Sequence, residues 1–275
     1  MTLAKHHAKT LLKDFAIKTV PVDPYEIAEE MDVTVTEDDC EGYTGMLLVV
    51  DGQALISVKE SIREQSKKKF TVGHEIGHYS IPGHITKERY FFKCTDQDLN
   101  IFGKKGGEEA EANEFAAELL MPEDIFKERI KVKNLSYNLL QELTDEFETS
   151  LTATGIRFVE LSRDYALVCS ENSCVKWFVK GEDFPFYLMN RGKLGEESMA
   201  IEFFKGRDLP KSFAAVPAEA WLDDYKLKED TGIQEFSVAL PYYNQVLSFL
   251  YAEPLEEDDE DEYVKELDGY PRFRK

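Results

Sequence analysis

Two histidines four residues apart with a glutamate between them, His74-Glu75-Ile76-Gly77-His78, are the residues of this 275-residue chain best suited to chemistry. On a helix, positions four apart lie one above the other, so both imidazoles reach one ion. Neutral imidazole nitrogen suits zinc. Glu75 directly follows the first histidine and falls beside such an ion rather than on it. There it can take a proton from a water whose pKa zinc lowers toward ~7. The same pattern also arises where two surface histidines sit one turn apart. The neighbours argue against that, because Val72, Ile76 and Gly77 make this helix largely buried. A buried helix carrying two imidazoles and a carboxylate needs a reason to do so.

A catalytic zinc takes three protein ligands and keeps one position open. The helix expected over residues 108–121 offers five glutamates: Glu108, Glu109, Glu111, Glu114 and Glu118. At about 100° per residue, Ala112, Asn113, Ala116 and Leu120 fall within about 60° of Glu109. Glu111, Glu114 and Glu118 fall on the opposite face, and Glu108 on a flank. Glu109 therefore sits in the middle of the inward stripe, where a carboxylate is paired, protonated or bound to metal. A salt bridge to a buried arginine or a cap on a neighbouring helix would also satisfy it; with the histidine pair upstream, the metal reading is preferred.

The elements that position these residues follow from pattern and punctuation. Residues 3–15 read as an amphipathic helix, Tyr25 to Met31 as a second, and Val33-Thr34-Val35 as a short strand. Met46 to Val50 and Ala54 to Val58 flank Asp51-Gly52-Gln53 as a hairpin. The histidine helix spans about Arg63 to Ile81 and stops at Pro82-Gly83. Residues 83–107 read as irregular. Helices follow near 108–121, 136–147 and 151–162. From Tyr165 the pattern changes: strands at 166–169 and 175–179, a helix near 196–205, and strands near 213–217 and 234–240. Seven consecutive acids, Glu256 to Glu262, predict a solvated tail without structure.

The segment Lys69 to His78, together with Glu109-Ala110-Glu111-Ala112-Asn113-Glu114-Phe115-Ala116-Ala117-Glu118-Leu119-Leu120-Met121-Pro122, resembles the ImmA/IrrE family of metallopeptidases. The second motif has the form ExxANxFAxxLLMP, which is long and specific. Leu143 to Leu161 resembles the segment that follows it in the family, and Val246 to Leu250 is similar to the end of longer members. The resemblance is good over roughly residues 5–165. It implies a gluzincin-like fold with two histidines and a glutamate on one zinc ion, and that glutamate falls on Glu109. It also implies a substrate, a transcriptional repressor carrying a helix-turn-helix of the XRE-like kind, often from mobile elements or stress responses. The insertion-like Phe102 to Gly107 departs from the pattern at the access loop.

Composition narrows the alternatives. Acids outnumber bases 54 to 33, for a net charge of −21, and such a surface repels phosphate backbones. Residues 136–162 have helix-turn-helix-like spacing, yet Glu142, Asp145, Glu146, Glu148 and Glu160 outweigh Arg157, and phosphate contacts need bases. That segment reads as structural or partner-docking, and Arg157 as a surface or salt-bridged arginine rather than one facing the cleft. No stretch approaches the ~20 apolar residues of a membrane span, and the N-terminus lacks an apolar signal core. The cytoplasm is the expected location. Cys40, Cys94, Cys169 and Cys174 have neither metal-knuckle nor redox spacing. Cys169 and Cys174 read as reduced thiols that could face each other across a hairpin. His84 reads as a loop histidine, Tyr43 and Tyr79 are alternative oxyanion donors, and Trp177 and Trp221 read as core.

The fold expected is α+β. A zinc peptidase domain occupies 1–130, a helical segment 131–164, a small α+β domain with a GAF-like, sensor-type character 165–254, and an acidic tail 255–275. The function expected is limited hydrolysis of a protein by zinc on His74, His78 and Glu109 with Glu75 as base, and with the strand at 46–50 pairing with an extended substrate. The alternative is a non-catalytic protein that holds zinc structurally and sequesters a basic repressor.

Overall fold

The histidine helix is the piece around which the first half of the chain is laid. In the computed structural model, which describes residues 2–39, 41–99, 106–131, 133–188, 192–222 and 232–252, the chain divides into two compact units, Met1–Ser162 and Arg163–Lys275. Both mix helix and strand, so the chain is α+β. The acidic tail, Cys40 and residues 102–105 of the insertion-like stretch lie outside the described residues.

The first unit runs α1 (Leu3–Asp14), α2 (Pro24–Glu30), β1 (Val33–Asp38), β2 (Gly45–Val50), β3 (Gln53–Lys59), α3 (Gln65–Ser80), β4 (Phe91–Cys94), α4 (Glu108–Leu120), α5 (Glu123–Ile130), α6 (Tyr137–Phe147) and α7 (Leu151–Ser162). β2 and β3 form the expected hairpin, turning through Asp51 and Gly52, both at positive φ. That is the geometry a two-residue turn needs to match strand twist, and it explains Asp-Gly here. The sheet order is β1-β3-β2-β4, with β1 parallel to β3 and the other pairs antiparallel.

The structure revises the sequence reading in two places here. Residues 83–107 are not all irregular, because Phe91–Cys94 form β4. Consequently the strand at 46–50 has no edge to offer a substrate: β3 takes one side of β2 and β4 the other. The edge belongs to β4. Its side chains alternate, Phe92 and Cys94 buried, Phe91 and Lys93 exposed.

α3 lies against β2 and β3 on one side and α4 on the other. Nine of its residues are buried, including Val72, Ile76 and both histidines. The contact with α4 is close because of Gly77. A Cβ there would meet Ala112 Cα and Phe115 Cβ at 3.2 Å each, tighter than side chains normally tolerate. A glycine facing Ala112 thus lets the two backbones approach, which brings Glu109 and Asn113 within reach of the histidines.

α4 also packs on α1, and this overturns part of the helical-wheel expectation. A helix covered on two sides has no single inward stripe. Glu118, placed by the wheel on the outward face, is completely buried, whereas Glu109 keeps 24% of its side chain exposed. Glu118 is satisfied by Arg157 of α7, itself 1% exposed, whose guanidinium also donates to Met121 O at 2.9 Å and 3.1 Å. Glu123 N donates to the other Glu118 oxygen at 3.0 Å. Arg157 is therefore a buried tie between α7 and the end of α4.

The second unit consists of β5 (Tyr165–Glu171), β6 (Cys174–Lys180), α8 (Ala200–Phe204), β7 (Ala214–Pro217), β8 (Gly232–Leu240) and β9 (Gln245–Tyr251). Its antiparallel sheet has the order β6-β5-β9-β8-β7. Trp221 is core, as expected, but Trp177 on edge strand β6 is only half-buried. At the centre, the buried Glu235 carboxylate accepts from Met199 N (2.8 Å), Ala200 N (2.9 Å), Trp221 Nε1 (2.6 Å) and Ser237 Oγ (2.7 Å). Burial raises its pKa, while these donors act in the opposite sense. Cys94, Cys169 and Cys174 are free thiols, with Cys94 and Cys169 buried and Cys174 exposed.

Breaking one side of a buried ion pair costs more than the pair contributes, because the remaining charge is stranded. Glu118→Ala should therefore destabilise the first unit by about 3–5 kcal/mol in chemical denaturation. A loss below about 1 kcal/mol, the value of an exposed pair, would show that Arg157 finds water instead.

Candidate metal centre

His74 and His78 project from α3 with both rings fully buried. Their Nε2 atoms are 3.1 Å apart. Glu109 Oε2, from α4, lies 3.1 Å from His74 Nε2 and 3.5 Å from His78 Nε2. The three residues named from the sequence thus meet at one point. Zinc bound tetrahedrally at 2.0–2.1 Å sets its ligand atoms about 3.3–3.4 Å apart, so the triangle has the size of one face of such a site.

The hydrogen-bond network around the rings shows what the triangle needs. Asn113 Nδ2 donates to Asp98 O at 2.8 Å, which fixes the amide so that Asn113 Oδ1 accepts from His74 Nδ1–H at 2.9 Å. His74 Nε2 is then a bare lone pair. On the other ring, His84 Nε2 lies 2.9 Å from Glu111 Oε2, and His84 Nδ1 lies 3.0 Å from His78 Nδ1. A tautomer in which His84 Nε2–H donates to this carboxylate lets its Nδ1 accept from His78 Nδ1–H, and that arrangement leaves His78 Nε2 bare as well. Two lone pairs and a carboxylate oxygen converge with no proton between them. A cation satisfies all three, so these residues fit a metal ion.

The electrostatics agree. Burial above all, helped by the neighbouring His74 and His84, pushes the His78 pKa down to about 4, leaving it neutral near pH 7 as a ligand must be. Burial opposes ionisation of Glu109, and in the absence of an ion a proton on the facing imidazoles outweighs it and holds the carboxyl well below the usual range; a cation would take that proton's place. Phe92 of β4 covers the site by stacking on His78, ring centres 4.0 Å apart.

Glu75 points from the same helix toward the sheet. Gly45 of β2 makes its space: a Cβ there would stand 2.6 Å from Glu75 Oε1. That oxygen accepts from Cys94 Sγ, while Oε2 is buried with no hydrogen-bond partner. Burial, reinforced by the charge of Glu109, raises the Glu75 pKa to about 7, although His74 and the Cys94 thiol act against it. A carboxylate poised near neutrality with one oxygen unengaged is suited to carrying a proton.

Several residues of the site escaped the sequence reading. Asn113 lay within the Glu109 stripe, and its i+4 spacing from Glu109 was the available signal. His84 is not a loose loop histidine but 2% exposed and wedged between His78 and Glu111. Glu111, placed on the far face, reaches it from the helix edge. Cys94 joins His74, His78 and Glu109 in a group whose donor atoms all lie within 4.8 Å of one another. Of the two tyrosines, Tyr79 packs on the apolar core and the Tyr43 ring lies 5.0 Å from Lys93 Nζ.

A buried triangle of ligand atoms beside a partly unengaged glutamate is the arrangement of a metal-dependent hydrolase. Residues 28–159 match the family model Peptidase_M78, described as the IrrE N-terminal-like domain. Residues 28–159 are therefore a domain of the ImmA/IrrE family of metallopeptidases. A search of curated proteins gives no match. Among the described residues, no helix is long and apolar enough to cross a membrane.

The His84–Glu111 pair should matter for metal binding through the proton it fixes on His78. Partners of this kind are worth about 10–100-fold in affinity. His84→Leu should weaken zinc binding by that factor in chelator competition. His84→Asn, whose Oδ1 can accept from His78 Nδ1–H, should recover most of the loss. Equal affinities for both variants and the parent would refute the assignment.

Proposed function

We propose that the protein is a zinc-dependent endopeptidase of gluzincin type that makes limited cuts in a protein substrate. The observation that carries this reading is the pairing of the ligand triangle with Glu75, whose Oε2 is buried and unpartnered. His74, His78 and Glu109 would hold the ion. When bound, zinc polarises a scissile carbonyl and acidifies a water. Glu75 Oε2 takes the proton from that water and returns it to the leaving amine, and Gly45 and Cys94 keep the carboxylate in place for both transfers.

The outer edge of β4 is where an extended substrate segment would add as a strand. Tyr90 and Phe91 are about half exposed beside it. Such an edge accepts a stretched linker and not a packed helix. A repressor with a basic helix-turn-helix is the substrate class favoured, on the family resemblance and on the net charge of −21, which attracts positive surfaces and repels nucleic acid. The burial of Arg157 supports the exclusion of DNA, because the one basic side chain of α7 is consumed by Glu118 and Met121 O. The second unit would serve as a sensor-like module of the GAF kind.

Glu75→Gln should lower cleavage by about 10²–10⁴-fold, the span of general acid–base contributions, with zinc content unchanged. Glu109→Ala should instead lose the metal. The Glu75→Gln protein can also serve to capture substrate, whose cleavage by the parent is then read by mass spectrometry. If Glu75→Gln lost zinc while Glu109→Ala retained it, the roles would be wrong. Tight binding of duplex DNA at physiological salt, with no metal-dependent fragments of any captured protein, would contradict the proposal.

A further inference from the structure

Cys94 has no part in holding the ion under the reading above, yet its sulfur belongs to the same group of donors. It is fully buried at the end of β4, and its Sγ lies within 4.8 Å of a ring nitrogen of His74, a ring nitrogen of His78 and a carboxylate oxygen of Glu109. The alternation of β4 dictates this: Phe92 and Cys94 face inward, Phe92 against His78 and Cys94 against Glu75. A second feature points to the same place. The Glu75 carboxylate, buried on the sulfur's side of the site, has an oxygen with no partner. Zinc with two nitrogens, one carboxylate oxygen and one sulfur has a complete tetrahedral set, and a complete set is the mark of a closed site rather than an open one.

We propose that Cys94 is a fourth donor of the metal centre, its thiolate occupying the position a substrate needs and so holding the peptidase in a closed resting state. This rests on the metallopeptidase reading. With Zn–S near 2.3 Å and Zn–N near 2.0–2.1 Å, the sulfur belongs about 3.6 Å from the other donors, so an approach of at most about 1 Å completes the set. On ligation the Cys94 S–H bond would break, its proton would pass along the existing hydrogen bond to Glu75 Oε1, and the sulfur lone pair would go to the ion. The ion would then have no open position for a substrate, and release of the sulfur would return the proton to it. Cys94 also sits on the strand whose outer edge is left for a substrate, so strand addition at β4 acts on the element that carries the latch.

Cobalt(II) in place of zinc tests this in the full-length protein. The parent should show the visible bands of a four-coordinate site together with a near-ultraviolet sulfur-to-cobalt charge-transfer band. Cys94→Ala and Cys94→Ser should keep the visible bands and lose the charge-transfer band. Serine retains a hydrogen-bond donor for Glu75, so the pair separates ligation from support of the base. With zinc, the closed state being tenfold favoured, Cys94→Ser should cut a captured substrate about tenfold faster than the parent, and Cys94→Ala, which also loses the donor to Glu75, should gain less. Visible bands without charge transfer in the parent, or a charge-transfer band that survives in Cys94→Ser, would overturn the latch and leave the peptidase reading standing. Absence of visible bands in the parent and in both variants would remove the metal centre itself.

Discussion

Acceptor atoms aimed at one point repel each other, and much of the first unit is arranged to hold three of them there. The two imidazoles are one turn apart on α3, which fixes their spacing without further help. The third atom, a carboxylate oxygen, must come from another helix, and it arrives only because Gly77 lets α4 approach to within contact of the α3 backbone. The outer nitrogens are then committed in turn. Asp98 O sets the Asn113 amide, which claims the His74 Nδ1 proton, and Glu111 sets His84, which claims that of His78. Each chain ends in a backbone carbonyl or a carboxylate, so both inner nitrogens are left bare. A cation is the partner that makes this burial favourable.

The same economy governs the buried charges away from the centre. Glu118 and Arg157 neutralise each other where α4 is covered on two sides, and Met121 O and Glu160 accept further guanidinium protons. Glu235 in the second unit is satisfied without a cation, by four donors from backbone, indole and hydroxyl. Among these three buried carboxylate sites, only the one at Glu75 leaves an oxygen without a partner. An unsatisfied buried group marks a site where the structure has been shaped for something other than stability.

The candidate site residues were legible because helical spacing is local: His74, Glu75 and His78 need only the period of one helix to be read, and Glu109 needs one more. Most helices and the two hairpins could be read for the same reason. What stayed hidden depends on which elements meet. The wheel of α4 assumed one buried face, and contacts with both α3 and α1 placed Glu118 inside instead. β4 has only four residues, too short a run to stand out, yet it takes the edge of β2 and carries Phe92 and Cys94 into the centre. His84 follows a Pro-Gly break that reads as a loop; its burial against His78 is a consequence of the chain folding back and cannot be seen in its neighbours.

One ion is expected at the meeting point of α3 and α4. Anomalous scattering from crystals of the zinc-loaded protein, collected on both sides of the zinc absorption edge, tests it directly. The expected result is a single strong peak in the first unit, about 2.0–2.1 Å from His74 Nε2, His78 Nε2 and Glu109 Oε2, with Glu75 beside the ion and not bound to it. A peak held elsewhere, one coordinated through Nδ1 of either histidine, or no zinc peak at all would show that these residues do not form the metal centre.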